Sequence, residues 1–93
     1  MADRAYRAAP ANALRVEPLG DLTAIFDRRS MQTHLVVSPM PEILDAMGAD
    51  ACSAAGLVAR LAARFDLGTA DDAQPILAER LAELAAMGLV ERA

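Results

Sequence analysis

The sequence predicts a small α+β domain in which an antiparallel three-stranded meander is followed by three helices. Three observations carry this. Apolar residues alternate with a period of two between Leu14 and Val37, the period lengthens to that of a helix after Ser38, and the change happens only once. A chain of 93 residues holds a single hydrophobic core, so one domain is expected. At 55% apolar and 24% charged, the composition is that of a folded chain. Of the 51 apolar residues 22 are Ala, so large core-filling side chains are few and the net stability should be on the order of a few kcal/mol.

Residues 1–12 (MADRAYRAAPAN) hold Met1 and Tyr6 as their only large apolar residues and are expected to be a mobile tail preceding a domain over 13–93. From Leu14 the pattern alternates, with Leu14 and Val16 on one side and Arg15 and Glu17 on the other, until Pro18 ends the pairing and Gly20-Asp21 turns the chain. Leu22 to Phe26 reads as a second strand, closed by Asp27-Arg28-Arg29-Ser30, whose Asp and Ser suit a type I turn. Met31 to Val37 reads as a third strand, with Met31, Thr33, Leu35 and Val37 alternating against Gln32, His34 and Val36.

Ser38 can cap a helix with Pro39 at its first position, and Met40, Ile43, Leu44 and Met47 form its apolar stripe before Gly48 stops it. A second helix begins at the cap Ser53 and buries Leu57, Val58, Leu61 and Phe65 before Leu67-Gly68. A third starts near Asp71 or Asp72, takes Pro75 in its first turn and buries Leu77, Leu81 and Leu84. Gly88 suits a left-handed residue just past that helix, and Leu89 would then pack back on Leu84. This order is that of a winged-helix-like domain.

Several chemistries lack the residues they need. One Cys, Cys52, cannot form an internal disulfide, and one His, His34, cannot build a zinc site without converging carboxylates; no structural metal and no cofactor are expected. His34 has no neighbouring Ser or Cys at a spacing that would activate it, and Cys52 reads as an incidental thiol, so no catalytic residue is assigned and the chain is read as a non-enzyme. The acidic stretch from Asp66 to Asp72 fails the calcium-loop pattern, since its third position is Gly68 and its twelfth Leu77. No Gly-rich phosphate loop is present. Without an apolar run long enough to span a bilayer or a secretory h-region, no membrane partner and a cytoplasmic location are expected.

Charge argues against nucleic acid. The net charge is −4 and uneven: residues 1–38 carry five Arg against four acids, +1, and residues 39–93 four Arg against nine acids, −5. The polar positions of the third helix are Gln74, Glu79, Arg80 and Glu83, one cation against two anions, which a phosphate backbone would not attract. A winged-helix DNA-binding regulator is therefore the alternative rather than the main reading.

The segments Leu14-Arg15-Val16-Glu17-Pro18-Leu19-Gly20-Asp21, Asp27-Arg28-Arg29-Ser30, Thr33-His34-Leu35 before Ser38-Pro39, Leu57-x-x-x-Leu61 and Leu81-x-x-Leu84-x-x-Met87-Gly88-Leu89-Val90 together resemble the PqqD family, most closely its branch linked with HPr-kinase-related peptide-modification systems. The resemblance covers about residues 13–92 and lies in the order and spacing of the segments. Gly56 departs from it, standing where such proteins place a larger helix former. The resemblance implies a peptide chaperone, a recognition element that binds the leader segment of a ribosomally made precursor peptide and presents it to a peptide-modifying enzyme.

The strand pattern reaches the same place by another route. The third strand of a meander pairs on one side only, and between Met31 and Val37 no Pro, Lys or acid blunts the open side. Such an edge can take an extended peptide as an additional strand. The expected peptide-binding residues are Gln32, Thr33, His34, Leu35, Val36 and Val37, with backbone bonds to the peptide from either Thr33 and Leu35 or His34 and Val36. If, as the resemblance implies, the groove lies between this strand and the third helix, then Ile76, Arg80, Glu83 and Met87 share its helical face, Ile76 and Met87 receiving apolar leader side chains and Arg80 an acidic one. The edge could instead be covered by the tail or by a second copy of the chain, which leaves open a homodimer through the edge strand or a homodimerisation module without peptide ligand.

Overall fold

The computed structural model describes residues 4–48, 50–64 and 70–93. Its α+β architecture contains the expected meander and three helices. Strands β2 (Leu14–Leu19), β3 (Leu22–Asp27) and β4 (Gln32–Val37) form one antiparallel sheet in the order β2-β3-β4. Helices α1 (Met40–Met47), α2 (Ala54–Ala62) and α3 (Ala70–Ala86) follow.

A second small sheet lies outside the sequence expectations. Strand β1 (Ala5–Ala8) is its centre, flanked by β5 (Cys52–Ser53) and β6 (Val90–Arg92). The segment read as a tail is thus paired on both sides, and Tyr6 enters the core at 8% exposure. Bonds from Ala9 N–H to the Leu89 carbonyl and from Ala93 N–H to the Ala5 carbonyl lengthen the pairing. One large side chain was too weak a periodic signal to mark a strand whose partners come from far along the chain.

The helices follow their stripes. Met40, Ile43 and Met47 of α1, Leu57, Val58 and Leu61 of α2, and Leu77, Leu81 and Leu84 of α3 are buried together with Ile25, Val36, Leu89 and Val90 in one cluster. Each such side chain contributes about 1.5–3 kcal/mol of burial. The Ser53 hydroxyl caps α2 by accepting the Gly56 N–H at 3.1 Å. At the other end of the chain Gly88, with φ 78°, closes α3: Leu89 N–H reaches the Leu84 carbonyl and Gly88 N–H the Ala85 carbonyl, both at 3.0 Å. Phe65 and Leu67-Gly68, expected to end the second helix, lie outside the described residues.

Three local readings are corrected. Pro39 is the N-cap of α1, and the Ser38 hydroxyl bonds to the Glu42 carboxylate instead of a backbone N–H. Pro75 sits in the second turn of α3, because the helix already begins at Ala70; its missing N–H removes one intrahelical bond there. Met31 belongs to the hairpin loop, in the left-handed region at φ 62°, with its N–H on the Asp27 carbonyl.

Candidate functional site

The backbone of β4 can be assigned group by group. Leu19 pairs with Leu22 across the two-residue turn Gly20-Asp21, and such a turn is flanked by a hydrogen-bonded pair. Bonded and non-bonded pairs alternate in an antiparallel ladder, so Leu22, Ala24 and Phe26 turn their backbone groups toward β2 and Thr23, Ile25 and Asp27 turn theirs toward β4. The β4 partners of these last three are Val36, His34 and Gln32. Thr33, Leu35 and Val37 therefore direct their N–H and C=O groups away from the sheet. Pro18, expected to end the pairing, instead stays within β2, because it falls in a non-bonded pair with Thr23 and its ring faces the outer side of the strand.

Of the two sets expected from the sequence, Thr33 and Leu35, now joined by Val37, hold the outward position. Among the described residues no intramolecular backbone bond engages these groups. Strand β1 pairs in the other sheet rather than along this edge. The two edges differ in kind: β2 carries Pro18, whereas β4 has no residue that obstructs pairing.

Side chains of β4 split by face. Gln32, His34 and Val36 lie on the face that includes buried Ile25, with Val36 fully inside and His34 half-buried. The His34 Nε2 is buried with no hydrogen-bond partner among the described residues. Thr33, Leu35 and Val37 lie on the opposite face, where Leu35 is 63% and Val37 51% exposed. Leu22, Ala24 and Phe26 share that outer face with Leu19, Glu17 and Arg15, so it is apolar over β3 and β4 and turns charged along β2 beyond Leu19.

A cleft of about 530 Å³ begins where β4 ends. Its floor is apolar, formed by Pro39, Leu61, Ala73, Ile76 and Leu77, and its rim holds Ser38, Glu42 and Asp72. Of the third-helix residues expected at the groove, only Ile76 lines it, exposed at 52%. Arg80 and Glu83 lie farther along α3 and pair with each other at 2.6 Å; Glu83 beside it raises the guanidinium's pKa further and keeps it charged. Met87 is half-buried and packs against the core. The cleft residues that the sequence did not single out include Glu42 and Asp72. Both are acids in the first turn of a helix, in the half of the chain that carries the −5 charge, and that combination was the available signal. A second cleft of about 670 Å³ lies between Arg7–Pro10, Leu14, Val16 and Ile25 on one side and Pro41, Leu44 and Asp45 on the other, beside the β2 edge.

Cys52 is buried in β5, and among the described residues no group of three or more His, Cys, Asp or Glu side chains stands together to hold a metal ion. No described helix is long and apolar enough to cross a membrane. No family model matches the chain, and no curated protein or solved structure matches it.

Proposed function

We propose that this protein is a non-enzymatic peptide-binding module that takes the leader segment of a ribosomally made precursor peptide as an additional strand on β4 and presents it to a modifying enzyme in the cytoplasm. The observation that carries the reading is the outward row of backbone groups on Thr33, Leu35 and Val37, unblunted and uncovered by the described chain. Each residue offers one donor and one acceptor, so backbone bonds supply affinity while alternate side chains of the ligand supply selectivity. The cleft beginning at Ser38 continues the same edge toward α3 and can receive side chains the strand delivers. No cofactor enters such a mechanism. The resemblance to the PqqD family points the same way. Against DNA as the ligand stands the exposed face of α3, where the Arg80 charge is already paired with Glu83.

The test is a titration with synthetic leader peptides from short reading frames neighbouring the gene, followed by backbone amide NMR. The expected result is slowed hydrogen exchange at Thr33, Leu35 and Val37, with affinity that changes little with salt. Binding that falls steeply with salt, or that leaves these three amides unaffected, would overturn the reading.

A further inference from the structure

We propose that the cleft at the end of β4 reads a basic side chain adjacent to an apolar one, placed immediately N-terminal to the ligand's strand segment. The inference rests on strand addition at β4 and specifies which peptides the edge accepts.

Direction comes first. Every pairing in both sheets is antiparallel, and antiparallel ladders are the more stable per residue. A ligand strand laid antiparallel on β4 has its N-terminal end opposite Val37, and the residues before it run past Ser38-Pro39, which open the cleft. Chemistry comes second. An apolar side chain entering there meets Ile76 and Leu77 from α3 and Leu61 from α2. At the rim it meets the carboxyl groups of Glu42 and Asp72, and among the described residues no Arg lines the cleft. The Glu42 bond to the Ser38 hydroxyl is to a neutral donor, so it leaves the carboxylate charge in place. An anionic rim over an apolar floor favours a neighbouring cation and opposes an acid. The sign is opposite to that expected from Arg80, whose guanidinium is turned to Glu83 and does not line the cleft.

The test uses two synthetic peptides with one shared segment of alternating Val and Thr, preceded in one by Arg-Leu-Arg and in the other by Glu-Leu-Glu. Two sets of amide signals are followed, Thr33, Leu35 and Val37 for the edge and Ala73 and Ile76 for the cleft. The Arg-Leu-Arg peptide should shift both sets and bind about tenfold more tightly than its acidic counterpart. In the variant carrying Glu42→Gln and Asp72→Asn that difference should vanish, with thermal scans establishing that the variant remains folded. Edge shifts with equal affinity for both peptides would overturn the cleft's selectivity while strand addition stands. Edge amides that respond to neither peptide at millimolar concentration would overturn strand addition and the selectivity with it.

Discussion

Arg29 joins two distant parts of the chain: its Nη2 donates to the Gly88 carbonyl at 3.0 Å, 59 residues away, while its Nε and Nη2 hold the two carboxylate oxygens of Asp27, each at 3.0 Å. The β3–β4 hairpin loop is thereby tied to the turn that ends α3. Asp27 is buried at 4% exposure, and a planar fork suits a carboxylate in that position because it meets both oxygens at once.

The acid dependence of folding follows from that fork. The side-chain bond from Arg29 holds the Asp27 carboxyl below its ordinary value of 3.8, against the opposing effect of burial. A carboxyl whose pKa is lowered on folding stabilises the fold above its unfolded value and loses that contribution as pH falls toward the folded one. Thermal melts should therefore decline below about pH 4. Asp27→Asn should flatten this decline, and a variant with an unchanged acid limb would show that Asp27 does not govern it.

Replacing Arg29 by Ala should lower the melting temperature more than replacing its neighbour Arg28. Arg28 makes a single exposed side-chain bond, to the Asn12 carbonyl at 3.1 Å, whereas losing Arg29 strips a buried carboxylate of its partner. Equal melting temperatures for the two variants would mean that the fork adds nothing.

Pro substitution along β4 should alternate in effect. At Thr33 or Leu35 it removes an outward donor, leaving the fold in place and weakening peptide binding. At His34 or Val36 it removes a bond to β3, costing about 1–3 kcal/mol for the group left unpaired. Chemical denaturation of all four variants measures this, and a uniform loss of stability would refute the assignment of outward groups.

Two glycines should respond to Ala with opposite signs. Gly88 has φ 78° and open space where a Cβ would stand, so its cost is purely conformational, about 1 kcal/mol of destabilisation. Gly56 lies in α2, where a Cβ would meet Cys52 Sγ and Ser53 Oγ at an ordinary 3.5 Å, so Ala should stabilise by about 0.5–1 kcal/mol. Urea midpoints of the two variants that move in the same direction would contradict this account.

What the sequence made legible was local. The turn at Gly20-Asp21, the cap at Ser53 and the stop at Gly88 are each encoded within a few residues, and all three appear where periodicity and cap chemistry put them. What it left hidden depended on distant partners. Tyr6 is in a strand because Cys52 and Arg92 come to lie beside it, and nothing in residues 1–12 announces those neighbours. The face of β4 turned to the core was equally hidden, for the more apolar set, Leu35 and Val37, is the exposed one. Side-chain hydrophobicity alone would assign the strand the other way. The cleft escaped because Glu42 of α1 and Asp72 of α3 come to line one space from separate helices, a relation without a sequence period.

His34 marks a remaining tension in the sheet. Its Nε2 is buried with no partner among the described residues, and a group in that state costs about 1–3 kcal/mol. His34→Leu should hold or raise the melting temperature while leaving peptide affinity intact, since its backbone groups face β3. A marked fall in stability would show that the imidazole has a favourable role there.

Because Pro18 lies on one margin of the sheet and only β4 is open on the other, the sheet has a valency of one. A single guest strand saturates it. Should two copies meet in place of a guest, β4 against β4, both open margins are consumed together and the pair is a closed two-fold object with Pro18 at each outer rim. Growth into longer ribbons stops there, so an open margin need not make the chain a seed for polymerisation.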